Sequence, residues 1–296
     1  MTSNRFLDRL KSGQILVLDG ATGTNLQRRG LPIGMPSDVW VLDNPEAVMD
    51  LHHDFIAAGS DIFLTDTFGS SPIHLAHAGL ADRFDQTNRR AVEIACEAAS
   101  GTDVLVAGSM GPLGEMLQPY GTIEEEQAEK SYAEQARVLA EAGVDLLVIE
   151  TQYDLNEAKA AIRGARSVTG LPMVCSFSYD RGTRTMMGVK PSQVGQELSE
   201  SGVVALGINC GRSLEDNLDA LRELRQSTGL PLWFKPNAGM PRSDEAGGLV
   251  YDVTPEMMAA QVAGWVEAGA SLVGGCCGTS PEHIQAVAQA VRNLRR

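Results

Sequence analysis

The chain has 296 residues, 43% of them hydrophobic, enough to bury a full core. Asp and Glu number 38 against 24 Lys and Arg, and the formal net charge of −14 excludes the basic footprint that binds nucleic acid or anionic membranes. Met1–Gly13 mixes charges with Phe6, Leu7 and Leu10, and no stretch approaches the roughly 18 apolar residues of a membrane span, so a soluble cytoplasmic protein is expected.

Eight short apolar runs follow along the chain. They are Ile15–Asp19, Asp61–Asp66, Val104–Ser109, Leu146–Thr151, Met173–Ser178, Val204–Cys210, Leu232–Asn237 and Leu272–Cys277. Each is nearly continuous rather than alternating, as when both faces of a parallel strand are covered. Helical stripes fill the gaps. Glu124–Ala142 carries Ala128, Tyr132, Ala136 and Leu139 on one face, with Thr122 and Glu125 predicted to form a capping box. Asp216–Ser227 is a second helix, and Ser280–Leu294 a third, with Ser280 at N-cap and Pro281 at N1. Gly59, Gly143, Gly202 and Gly269 each read as the glycine that closes a helix before a strand. Eight strand–helix units in a chain of this length predict a single (β/α)8 barrel over residues 1–296, with a doubly wound open sheet as the alternative.

In such a barrel the active site lies at the C-terminal ends of the strands. The residues predicted there are Asp19, Asp66, Ser109, Glu150, Ser178, Cys210, Asn237 and the pair Cys276-Cys277, whereas the opposite ends are apolar. That asymmetry points to an enzyme. Of the five cysteines, Cys96 and Cys175 are assigned to packing. Cys210 closes the sixth run and Cys276-Cys277 the eighth, so the three can share one ion if the last strand breaks there, as Gly274, Gly275 and Gly278 allow. Three thiolates suit Zn²⁺ and leave one tetrahedral position open, the mark of a catalytic site. No histidine sits at a strand end. His52, His53, His74 and His77 are read as surface or packing residues, and His283 as the one histidine near enough in sequence to the cysteine pair to support it from outside. The loop with Arg181, Arg184, Met186 and Met187 is read as an ordinary connection. The long Gly-rich segment 238–253 reads as a lid.

The chain resembles the zinc-dependent homocysteine S-methyltransferase family, which includes the homocysteine-binding module of cobalamin-dependent methionine synthase and betaine–homocysteine methyltransferase. The resemblance rests on LDGATGT around Asp19-Gly20, TDTFGS at Thr65–Ser70, VIETQYDLNEAKAA around Glu150, GINCG around Asn209-Cys210, PNAGMP at Pro236–Pro241 and GGCCGT at Gly274–Thr279. It implies a (β/α)8 barrel with one zinc held by Cys210, Cys276 and Cys277, and homocysteine bound over the barrel. Asp19, Gly20, Glu150 and Asn209 are the substrate-binding residues it points to. Asp19 and Glu150 would meet the ammonium, and the substrate thiol would be the fourth ligand. Asp66 is a third acid, read equally well as a turn residue beside Thr67.

The donor is read by comparison within that family. Betaine users ring a quaternary ammonium with aromatic side chains. Here Gly69 stands where such a ring is expected, leaving Trp40, Tyr120 and Tyr153 as possible substitutes. The segments around Glu150 and PNAGMP look closer to the methionine synthase module, so a methyl-corrinoid carried by a separate protein is the first expectation. S-methylmethionine and betaine or another methylamine are the alternatives. A zinc-dependent lyase or hydrolase, or a non-catalytic zinc- and thiol-binding protein, are the readings from other classes.

Overall fold

A computed structural model describes residues 4–243 and 249–294. Eight parallel strands form the centre: β1 (Leu16–Val17), β2 (Ile62–Leu64), β3 (Leu105–Met110), β4 (Leu146–Gln152), β5 (Met173–Phe177), β6 (Ala205–Cys210), β7 (Leu232–Pro236) and β8 (Ala270–Val273). Each pairs with its sequence neighbour from β2 through β8, and β8 pairs with β1. The Leu18–Ile62 bridge closes the ring between β1 and β2. The expected (β/α)8 barrel is therefore the fold, and the open sheet is not.

Two apolar layers follow from the strand alternation. Leu16, Leu18, Ile62, Leu64, Leu105, Leu146, Val148, Val174, Trp233 and Leu272 fill the barrel interior. Residues of opposite parity, such as Phe63, Val106, Leu147, Cys175, Leu206 and Phe234, face the surrounding helices. A helix that the sequence reading left unassigned, Arg5–Lys11, sends Phe6 into the interior cluster. Its Arg9 pairs with Asp61 where β2 begins, so this helix covers the N-terminal mouth.

The repeated helix–strand junction has a physical cause. Gly59, Gly143, Gly202 and Gly269 all take positive φ, between 92° and 110°, as their sequence positions predict. Two residues later, Asp61 and Asp145 turn back to accept a neighbouring strand's N–H, from Val17 and Val106, each at 2.8 Å.

Three expectations are corrected. The helix after β3 runs Glu125–Ala142 and is capped by Glu124 with Gln127, not by Thr122 with Glu125. Thr122 is drawn instead to Glu115 on the preceding loop, and the Gln127 side chain accepts the Glu124 N–H at 2.9 Å. The last strand also stops at Val273, short of the predicted Cys277. A Cβ on Gly274 would lie 2.8 Å from the Asp19 carbonyl oxygen, so the chain here packs too closely on the end of β1 for a side chain. The helix after β6 starts at Leu214, two residues before the predicted Asp216, because Ser213 caps it.

Candidate metal centre and substrate cavity

The break after β8 puts both halves of the cysteine pair on the same side. Backbone bonds fix the turn: Gly275 N–H to Asp19 carbonyl at 3.1 Å, Cys276 N–H to Pro236 carbonyl at 2.8 Å, and Ala238 N–H to Cys277 carbonyl at 2.9 Å. Thr279 closes it by donating its hydroxyl to the Cys276 carbonyl at 2.6 Å.

Cys210 arrives from the end of β6 in a left-handed conformation, φ 57°, uncommon for a residue with a Cβ. Asn217 holds its carbonyl at 2.6 Å. The Cys210 sulfur lies 2.9 Å from that of Cys276 and 3.9 Å from that of Cys277, and all three fall within 4.8 Å of one another. A tetrahedral zinc–sulfur site with bonds of about 2.3 Å has sulfur–sulfur edges of about 3.8 Å. The 3.9 Å pair matches that edge, and the 2.9 Å pair is well beyond the disulfide length of about 2.05 Å. The thiols act on one another unevenly: hydrogen bonds to Cys276 and Cys277, together with burial, push the Cys210 thiol up, while hydrogen bonds with Cys210 and Cys276 pull the Cys277 thiol down. A soft cation removes that conflict, so the donor set fits zinc.

Beside the cysteines lies a cavity of about 350 Å³, whose walls include Gly20, Asp66, Ser109, Glu150, Thr151, Lys235 and Tyr251. Glu150 is nearly buried and accepts the Ser109 hydroxyl at 2.6 Å. Burial pushes its carboxyl up to about 7, against the opposing pull of Lys235. Asp19 is fully engaged: one oxygen is paired with Lys235, and the other accepts the Leu64 N–H at 2.9 Å. Burial acts to lower Lys235, but the charges of Asp19 and Glu150 outweigh it and hold its ammonium above the ordinary value.

Asn209, read from the sequence as a substrate contact, is completely buried. It bonds to Thr151 twice and accepts the Ser176 hydroxyl at 2.6 Å. Gly20 does reach the cavity wall. Asp66 is buried on that wall too; Ser37 donates to one of its oxygens at 2.6 Å, while the other has no hydrogen-bond partner among the described residues. Burial first, and then the nearby Asp38, push this carboxyl up to about 7.

Several residues fall where the plain reading put them. Cys175 is buried in β5, and Cys96 lies on the helix Phe84–Ala99. His52 packs on Phe63 with ring centroids 4.7 Å apart, and burial drives it down to about 3. His74 contacts the Pro112 carbonyl, and His77 pairs with Glu115. His283 is no ligand: Nε2 faces the Val253 carbonyl at 2.9 Å and Nδ1 faces Ser280. It thereby ties the last helix to the chain two residues past Tyr251.

Lys235 and Tyr251 were missed in the sequence. Lys235 had a signal, a lone cation inside the apolar run LWFKPN, which demands a buried partner. Tyr251 had none, because its place beside Gly278 depends on the path of the 238–253 segment. Residues 244–248, at the centre of that expected lid, lie outside the described residues. The aromatic side chains on the cavity are Phe68 and Tyr251; Trp40, Tyr120 and Tyr153 are not among its lining residues. No helix among the described residues is long and apolar enough to cross a membrane.

This geometry agrees with the comparisons to known proteins. The family model described as homocysteine S-methyltransferase matches residues 16–291. Methionine synthase of Mycobacterium tuberculosis is 32% identical over 96% of this chain and 25% of its own length, and that of Mycobacterium leprae is 32% identical over 94% and 24%. The chain thus spans about a quarter of the length of these curated relatives. The crystal structure of the homocysteine methyltransferase MmuM from Escherichia coli, in its metallated form, superposes with a TM-score of 0.83 at 29% identity, covering 97% of this chain and 99% of that one. A match of this extent, on a barrel that gathers the three cysteines at one end, places the chain in the homocysteine S-methyltransferase family.

Proposed function

We propose that this protein transfers a methyl group to the thiol of homocysteine, giving methionine, with one zinc held by Cys210, Cys276 and Cys277. The observation that carries the reading is the convergence of three thiols from two strand ends on a cavity that also presents Glu150 and Lys235. A free thiol with pKa about 8.5 is only about 3% ionised at pH 7. Zinc, when bound, supplies the positive charge that ionises a substrate thiol at neutral pH. The chain's own part is to bind and orient. Glu150 offers an anion to the substrate ammonium, and the Gly20 backbone forms wall on the same cavity. The sulfur then forms its bond to the methyl carbon while the donor leaves with the bonding pair. Holding sulfur and carbon in line at about 3–3.5 Å accounts for most of the acceleration. No side chain need act as general base once the thiol proton has gone to solvent.

For the donor, a methyl-corrinoid on a separate protein remains the first reading, supported by the 32% identity to methionine synthases. One observation favours a second, a small cationic donor such as S-methylmethionine or betaine: the unpartnered oxygen of Asp66 sits on the cavity wall. The test uses reduced, zinc-loaded protein and homocysteine with either methylcobalamin or S-methylmethionine. Matched loss of the cobalt–carbon absorbance and gain of methionine supports the corrinoid. Methionine formed only from the sulfonium moves the donor to the second reading. No methionine from any of these donors or betaine, with homocysteine bound, counts against methyl transfer itself.

A further inference from the structure

Lys235 is the one cationic side chain among the described residues that line the cavity. It comes from β7 with the parity of Trp233, so its stem enters the barrel interior and its ammonium ends near the cysteines. Burying an ammonium this deeply is costly unless its hydrogens are used. Asp19 is its hydrogen-bond partner among the described residues, and Asp19 is itself saturated by Lys235 and the Leu64 N–H. An ammonium has three hydrogens to give. On the same cavity, Glu150 is held by Ser109 through Oε1, and its Oε2 carries no hydrogen bond to a described residue.

Among the described lining residues, the groups with unused capacity are therefore one cation, Lys235, and two acids, Glu150 beside the cysteines and Asp66 on its loop. An α-amino acid presents the complementary pair. Its carboxylate entering a cavity lined by Asp66, Glu150 and three thiols meets repulsion from every ionised side chain of the wall except Lys235. Its ammonium finds Asp19 already neutralised and Glu150 open.

We infer that Lys235 binds the α-carboxylate of the thiol amino acid while Glu150 takes its ammonium, and that Asp19 is a positioning residue holding Lys235 in place. The inference rests on the homocysteine reading above and adds the selection rule: the site chooses amino-acid thiols over thiol amines of the same length. Asp19 then acts through Lys235, so Asp19→Asn shifts acceptor preference in the same direction as loss of Lys235.

The test is calorimetric and needs no methyl donor. Reduced, zinc-loaded protein is titrated with homocysteine and with 3-amino-1-propanethiol, which keeps the thiol and ammonium and lacks the carboxylate. Wild type is expected to prefer homocysteine, and Lys235→Met to lose at least about tenfold in homocysteine affinity, as for a charge-assisted hydrogen bond, with the amine within about twofold. Equal weakening of both ligands, or no change in either, overturns the assignment. A measurement on the wild type alone covers a variant that fails to fold: homocysteine methyl ester keeps the thiol and ammonium and removes the negative charge. Ester binding as tight as the acid overturns the proposal, and weaker ester binding supports it. Failure of homocysteine to bind the wild type at all overturns the acceptor reading as well.

Discussion

Asn209 holds Thr151 at two points, accepting its backbone N–H at 2.8 Å and donating to its hydroxyl at 2.6 Å. Thr151 follows Glu150, and Cys210 follows Asn209. Both neighbours, Thr151 at φ 60° and Cys210 at φ 57°, are left-handed without being glycine. One buried amide thus couples the carboxylate strand to the metal-ligand strand and supports two backbone conformations that cost about 1–2 kcal/mol each.

Asn209→Ala should therefore act on the metal centre more than on the substrate. It leaves the Thr151 N–H and the Ser176 hydroxyl without their partner, and stability should fall by about 2–4 kcal/mol. Zinc affinity should fall about 10–100-fold, as when an outer partner of a ligand is lost. Denaturant melts and competition with a zinc chelator measure both. Unchanged zinc affinity with a raised KM for homocysteine would instead make Asn209 a direct substrate contact, as the sequence resemblance implies.

Removing a ligand is more severe. Cys210→Ala should empty the site of zinc and reduce methyl transfer by more than the roughly 100-fold of an outer-partner loss. The barrel should stay folded, since Cys210 lies at the rim, beyond the layer that fills the interior. Metal analysis with circular dichroism decides it; full activity in a metal-free variant would count against the site.

Asp66 gives a pH dependence with a definite sign. Its folded pKa is raised from 3.8 to about 7, so the fold favours the protonated acid, and ionising it is a penalty of at most about 4 kcal/mol. The penalty is absent at pH 4 and complete above about pH 7. Asp66→Asn should raise stability by about 1–3 kcal/mol at pH 8 and by little at pH 4. Melting curves at the two pH values check this. An equal gain at both would mean that charge is not the cause.

Gly278 sits at φ 82°, and a Cβ there would overlap the Tyr251 ring. Gly278→Ala should cost about 1–2 kcal/mol from the backbone alone and displace Tyr251 from beside the cysteines. A lower melting temperature with weaker zinc retention is expected. Retention equal to wild type would show that the Tyr251 position is not coupled to the metal.

The barrel was legible because parallel strands covered on both faces leave unbroken apolar runs, and their polar ends all fell on one rim. The gathering of the three cysteines was legible for the same reason, with the glycines of GGCCGT signalling the break in β8. What was not legible depended on contacts between distant segments. The pairing of Asp19 with Lys235 joins β1 to β7 and changes what Asp19 is free to do. Thr122 looked like a cap until the loop carrying Glu115 drew it away. Asn209 was read as a substrate contact; its bonds to Ser176 on β5 and Thr151 on β4 join separate strands, and nothing in its own segment announces them.

The most direct measurement is methionine formation from homocysteine as apoprotein is titrated with zinc, with a supporting methyl donor in excess. The account predicts a rate that rises from zero and breaks at one zinc per chain, and no rate at any zinc level when Cys210, Cys276 and Cys277 are all replaced by alanine. A rate independent of zinc, or one that survives the triple replacement, would contradict it.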